Sequence, residues 1–175
     1  MQKITQFQQD WDQFEDISPL LEAGQIQYIA DTSPFFQMIV KNYPILCSRI
    51  DWSAISYLDV QIKRTDIRFD EIVDRMITLI VKWVGLKLDS SIFFVFDGFT
   101  QGGFEVNSEV TSMVSRSSFL VAQHTYIIPS DGSWCINYSF ESYLSFGWSK
   151  SQPENVEALG KYLQESGLPV EIHLV

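Results

Sequence analysis

Apolar and polar residues follow two different periods along this chain, a helical one in the first half and a strand-like one in the second. In residues 4–16, aromatic residues recur every three to four positions between carboxylates, which predicts an amphipathic helix. A short helix is predicted for residues 34–42. A longer helix with a broad apolar stripe is predicted to begin at Asp66 or Asp70 and to end at Gly85.

Strand signals dominate after Ser91. Residues 92–96 form an almost wholly apolar run, which is typical of a central strand covered on both faces. Residues 97–103 are predicted to form a glycine-rich loop. Further strands are predicted at residues 54–62, 119–128, 134–140, 143–148 and 170–174, with a last helix at 151–166. The pattern predicts an α+β fold, a mostly antiparallel sheet with helices packed on one face, and a single globular domain over residues 1–175.

The balance of charges argues against two classes of partner. Twelve Lys and Arg against 22 Asp and Glu give a formal net charge of -10. Nucleic acids and anionic membranes are bound by basic surfaces, so we expect neither as a partner. An acidic protein instead associates faster with basic proteins. The first residues lack the apolar core of a signal peptide, so a cytoplasmic location is expected.

The acidic excess is greatest between Lys87 and Lys150, a stretch that contains six Asp and Glu residues and one basic residue, Arg116. The same stretch is rich in Phe, Tyr and Trp, and aromatic residues beside carboxylates are typical of a protein-binding hot spot. We expect two contact patches for a basic partner, one formed by Asp131, Trp134, Glu141, Tyr143 and Trp148 and the other by Asp97, Glu105 and Glu109. The alternative is that strand alternation turns about half of these aromatic residues into the core.

The histidines and cysteines do not form a catalytic or metal-binding motif. His124 and His173 lie in predicted strands, and no HExxH is present. A zinc site would have to draw them together with Cys47 and Cys135 from four distant segments. Both cysteines are instead expected to be buried and reduced. We therefore expect that the protein is not an enzyme and binds neither a metal nor a cofactor.

Two other functional classes stay open at this point. Glu105 and Glu109 follow the glycine-rich stretch and, with His124, could form the site of a small-ligand-binding or enzymatic domain near residues 97–109. A deep pocket lined by these three residues would favour that class, whereas a flat acidic face would favour a protein partner. An adaptor subunit of a larger complex would show an extensive apolar patch instead.

The segment from Tyr126 to Glu141 reads YIIPSDGSWCINYSFE, a strand, a Pro-x-Asp-x-Ser-Trp turn, a second strand and a Glu. It resembles the hairpin of small bacterial immunity proteins, including the partners of contact-dependent growth-inhibition toxins and related polymorphic toxins. Phe140 stands where that pattern has His or Thr. The resemblance implies a non-catalytic cytosolic protein that binds one cognate toxin, a basic nuclease, and blocks its active site or a neighbouring surface.

Overall fold

The strand-like pattern of the second half builds most of one large sheet. A computed structural model describes residues 12–87, 89–98 and 102–175. Its strands are β1 (Ile26–Ile29), β2 (Ile45–Leu46), β3 (Arg49–Ile50), β4 (Tyr57–Gln61), β5 (Ser91–Asp97), β6 (Gly103–Asn107), β7 (His124–Pro129), β8 (Trp134–Tyr138), β9 (Tyr143–Trp148) and β10 (Glu171–His173). Its helices are α1 (Ser18–Glu22), α2 (Ser33–Asn42), α3 (Phe69–Trp83), α4 (Thr111–Val121) and α5 (Pro153–Glu165). Short 3-10 helices span Asp12–Ile17, Trp52–Ala54 and Ser108–Val110.

The eight-stranded sheet has the order β1-β6-β5-β7-β8-β9-β4-β10, and β2 and β3 form a separate hairpin. All neighbouring strands in the described residues pair in the antiparallel sense. The α+β fold and the mostly antiparallel sheet predicted from the sequence are therefore confirmed. β4 and β10 lie beyond β9 in the sheet, so the last strand of the chain pairs with one from the first half.

The first face of the sheet carries the main core. Alternate strand residues such as Leu58, Phe94 and Ile136 are fully buried there. The apolar stripe of α3 supplies Phe69, Ile72, Val73, Met76, Ile77 and Ile80 to the same core. Helices α4 and α5 add Val114, Phe119, Val156, Leu159 and Leu163. Burying this apolar area is the main free energy that stabilises the sheet.

The second face is only partly covered. Helix α2 and the β2–β3 hairpin bring Ile39, Tyr43 and Ile50 onto a smaller apolar cluster with Val95, Tyr126, Ile128 and Cys135 of the sheet. Beyond this cluster the same face becomes polar, with Asp59, His124, Asn137 and Ser145. Because α2 and the hairpin end there, these polar side chains line an open cavity instead of a closed core.

Residues 103–121 fold differently from the sequence prediction. The strand predicted at 119–128 begins only at His124, because residues 111–121 form α4. Val114 and Phe119 hold this helix in the core, and the Ser115 hydroxyl donates to the Thr111 carbonyl within it. Strands β1 and β6 were not predicted either. Because β6 begins at Gly103, the predicted loop of residues 97–103 ends before that residue.

The N-terminal segment and Cys47 also differ from the sequence prediction. Of the helix predicted for residues 4–16, residues 4–11 lie outside the described residues, and Asp12–Ile17 form a 3-10 helix. Cys135 is buried as expected, but the prediction for Cys47 was wrong, because it is exposed at the tip of the β2–β3 hairpin. No helix of the described chain is long and apolar enough to cross a membrane.

Candidate functional site

The polar part of the second face forms a cavity of about 440 Å³. Strand alternation explains its lining, because residues two apart in a strand point to the same face of the sheet. The hairpin side of the cavity is formed by Arg49, Ile50 and Trp52. The strand side is formed by Tyr57, Asp59, His124, Asn137, Ser139, Tyr143, Ser145, Glu171 and His173, with Glu141 from the β8–β9 turn.

A carboxylate–imidazole cluster lies at one end of this cavity. The Asp59 Oδ1 and His173 Nε2 atoms are 3.1 Å apart, and the Glu171 Oε2 atom is 3.9 Å from the same nitrogen. The His173 ring stacks on Tyr57 with ring centroids 4.3 Å apart. Register explains the cluster, because β10 places Glu171 opposite Asp59 and His173 opposite Tyr57.

Asp59 is a buried acid on the second face of the sheet. Its neighbours in β4, Leu58 and Val60, point to the opposite face into the main core, and only 8% of Asp59 is exposed. Burial raises the pKa of the Asp59 carboxyl, and the hydrogen bond with His173 acts in the opposite direction. Because the carboxyl group is partly removed from water, its charged form is stabilised by a positively charged neighbour.

His124 occupies the other end of the cavity. The residue is 2% exposed, and neither of its ring nitrogens has a hydrogen-bond partner among the described residues. Burial lowers the pKa of the imidazole, and the positive charge of Arg49 lowers it further. The Phe140 ring packs edge-on against His124, with centroids 5.3 Å apart.

Exposed apolar and acidic residues surround the His124 end. Phe140 is 49% exposed, and the Arg49 guanidinium lies 5.4 Å from the centre of its ring. Leu46, paired with Arg49 across the hairpin, is 61% exposed. We call the surface formed by Leu46, Arg49, Asp97, Phe140, Glu141 and Tyr143 the acidic rim.

The residues predicted as contact patches are divided by the sheet. Asp97 pairs with His124, and Glu141 and Tyr143 line the same cavity, so these three lie together at the acidic rim. Asp131, Trp134 and Trp148 line a different cavity of about 610 Å³, at the other end of β8 and β9. The length of β8, about 16 Å for its five residues, separates this cavity from the acidic rim. The residues expected to form the first contact patch therefore do not share one surface.

Trp134, Glu105 and Glu109, also predicted contact residues, lie away from the acidic rim. Trp134 is only 4% exposed and belongs to the main core, where it packs near Phe146. This agrees with the alternative that strand alternation buries part of the aromatic set. Glu105 in β6 accepts a hydrogen bond from the Ser91 hydroxyl at 2.6 Å, and Glu109 is exposed in a 3-10 helix. Neither glutamate lines the His124 cavity, so the pocket anticipated from these two residues and His124 is not formed by them.

The charged residues Arg49, Asp59, Glu171 and His173 of the cavity were not among the predicted site residues. Arg49 lies in a two-residue strand that has no recognisable pattern. Glu171 stands two positions before His173, a spacing that points both side chains to one face of a strand and that could have been recognised. Asp59 lies on the polar side of the alternation in β4, and its proximity to His173 depends on a long-range strand pairing.

The charged side chains that line the cavity are mostly carboxylates. Its lining carries the carboxylates Asp59, Glu141 and Glu171 against one permanent cation, Arg49. Cys135, the buried thiol, belongs to the apolar cluster, and burial raises its pKa far above its usual value, so it is not an activated nucleophile. No protein-family model and no curated protein matches this chain.

Proposed function

We propose that this protein is an immunity-type inhibitor that neutralises a basic cognate toxin domain, a nuclease, by stoichiometric binding through the acidic rim. The observation that supports this most directly is the composition of the rim. Exposed Phe140 and Tyr143 flank Glu141 beside a cavity with excess negative charge. Large aromatic side chains next to carboxylates match the centre of a protein interface for a basic partner.

The rim is also partly ordered before binding. Arg49 holds one face of Phe140, and the buried His124 ring packs against the same side chain. A side chain that is already held loses less conformational entropy when a partner covers it. Basic side chains of the toxin would then pair with Asp97 and Glu141, in place of the phosphates of the toxin's substrate. In this proposal the protein carries out no covalent chemistry.

A second candidate function is binding of a small cationic molecule in the cavity itself. Its volume of about 440 Å³ falls in the range of ligand sites. Neither ring nitrogen of His124 has a partner among the described residues, and the one without a proton could accept a hydrogen bond from an amine. This candidate replaces the site near residues 97–109, because Glu105 and Glu109 lie elsewhere. A ligand that fills the cavity without touching Phe140 would favour it.

Co-expression with the product of the gene immediately upstream tests the first candidate. We expect that the upstream product alone arrests growth, that this protein restores growth, and that the two proteins co-purify in equal amounts. The double variant Phe140→Ala, Glu141→Lys should weaken the complex by on the order of 100-fold, the loss typical of hot-spot residues. Growth protection should be reduced accordingly.

The matched control is Glu154→Lys. Glu154 is exposed in the first turn of α5 and does not line the cavity, so the charge reversal changes the net charge by the same amount away from the rim. Glu154→Lys should bind like the wild type. Full protection by the Phe140→Ala, Glu141→Lys variant would show that the rim is not the interface.

A further inference from the structure

We propose that Asp59, Glu171 and His173 form a binding site for a divalent transition metal of the Zn²⁺ class. The site goes beyond the proposed partner binding and does not depend on it. It was not expected from the sequence, where no metal was predicted. It lies at the end of the cavity opposite to the acidic rim, on the two strands β4 and β10.

The distances suit a small metal ion. One ligand atom from each of the three residues can be chosen so that all lie within 4.8 Å of one another. The two measured separations from His173 Nε2 are 3.1 Å to Asp59 and 3.9 Å to Glu171. Tetrahedral Zn²⁺ with bonds of about 2.1 Å places its ligand atoms roughly 3.4 Å apart. Small rotations of the Glu171 side chain, which is exposed, are enough to reach that geometry.

Two of the three ligands are held in place by the fold. Asp59 is fixed in the middle of β4, and the ring of His173 is held by its stacking on Tyr57. No Lys or Arg of the described residues makes an ion pair with Asp59 or Glu171. In this part of the chain, the basic side chain within 4 Å of both carboxylates is the His173 imidazole.

A second feature of the same cavity also favours a ligand. His124 lines it with two buried ring nitrogens that have no partner in the described part of the chain. Buried polar groups of native proteins are nearly always satisfied. His124 lies three strands from Asp59 in the sheet order, about 14 Å, so it does not bind the same ion. It remains available to another part of a metal-bound ligand.

The donor set decides the kind of metal. Two carboxylate oxygens with one imidazole nitrogen favour Zn²⁺ and its neighbours over Mg²⁺ and Ca²⁺, which prefer oxygen ligands alone. Three protein ligands leave a fourth coordination position that opens into the cavity. The site is therefore of the open type, able to hold water or an anionic group of a ligand.

Calorimetric titration of the full chain with ZnCl₂ tests the site. The titration is done in a Cys47→Ser background, because that exposed thiol could bind zinc by itself. We expect one Zn²⁺ per chain, not displaced by excess Mg²⁺. Glu171→Gln keeps the Asp59–His173 pair and hence the fold, and it should weaken binding by roughly 10–100-fold or more, since even outer-shell changes have effects of that size. Glu154→Gln is the matched control and should bind normally.

The chain has only two histidines, which gives a second measurement. In imidazole ¹⁵N spectra, Zn²⁺ should shift the Nε2 signal of His173 and leave both nitrogens of His124 unchanged. Absence of stoichiometric Zn²⁺ binding would show that the Asp59–His173 pair is purely structural. Equal affinity of the Glu171→Gln variant, or a shift at His124 in place of His173, would also overturn the site.

Discussion

At the scale of single residues, the buried ionisable groups on the second face determine the character of the cavity. Asp59 and His124 are both almost inaccessible, yet neither is paired with a Lys or Arg side chain in the described residues. The sequence placed His124 in a strand correctly, but it could not show that none of the described residues would hydrogen-bond to its ring nitrogens. That property depends on side chains of β8 and the β8–β9 turn, which approach only in the folded sheet.

His124 should make stability depend on pH. Burial first, and Arg49 second, lower its pKa in the folded protein below the usual value of 6.5. The unfolded chain therefore binds a proton at higher pH than the folded chain does, and the free energy of unfolding should fall as the pH drops from about 6.5 towards the folded pKa. Urea unfolding at a series of pH values between 7.5 and 5 measures this dependence.

The variant His124→Gln serves as the reference for that experiment, because it removes the titrating group from both states. Its stability should decrease less than that of the wild type over the same pH range. Asp59 acts in the opposite sense, since its raised pKa makes the folded state gain stability as the pH falls through it. Parallel curves for the wild type and the variant would contradict the assignment to His124.

At the scale of elements, the long and strongly periodic segments were predictable and the short ones were not. The stripe of α3 and the apolar run of β5 lie where the pattern placed them. Helix α4 was missed because its sequence contains four serines and β-branched residues, which have low helix propensity, and because its apolar end runs on towards β7. Strands β1 and β6 have four and five residues, too few for a clear alternation.

Gly103, the first residue of β6, has no room for a side chain. A Cβ at Gly103 would lie 2.0 Å from the Phe94 carbonyl oxygen, which is backbone and cannot rotate away. Gly103→Ala should therefore lower the free energy of unfolding by on the order of 3 kcal/mol. Urea denaturation followed by circular dichroism measures the loss.

Gly85 provides the comparison. Its φ is +69°, and an added Cβ would meet no atom within 4 Å, so Gly85→Ala should cost only about 1 kcal/mol of left-handed strain. Equal losses for the two variants would mean that β5 and β6 separate easily, and that the close approach of their backbones is not required for the fold.

At the scale of the whole molecule, one face of the sheet is covered by the main core, and the other is partly open and carries the cavity with Asp59, Glu141 and Glu171. Asp97, Glu141 and Tyr143, three of the residues predicted to contact a partner, lie together at the acidic rim, and their role in binding stays a prediction. The cluster at the other end joins Asp59 to residues more than 110 positions later through the β4–β10 pairing. Local patterns do not contain such a pairing, so this half of the site could not be predicted.

The net charge of -10 should control how fast a basic partner binds. Long-range attraction is screened by salt, with a Debye length of about 10 Å at 0.1 M. The association rate with the cognate toxin should fall by roughly tenfold or more between 0.05 and 0.5 M NaCl, while Phe140→Ala should act mainly on dissociation. Stopped-flow measurements separate the two rates. An association rate that is insensitive to salt would contradict electrostatic steering.

The β2–β3 hairpin has a practical consequence. Cys47 and Ser48 form its tip with φ values of 50° and 66°, which turns the chain so that the Cys47 thiol is exposed two residues from Arg49. Cys135, the other cysteine of the sequence, is fully buried, and its raised pKa keeps it protonated. A maleimide fluorophore would therefore attach at a single known position, and changes in its emission would report directly on a molecule docking beside Phe140.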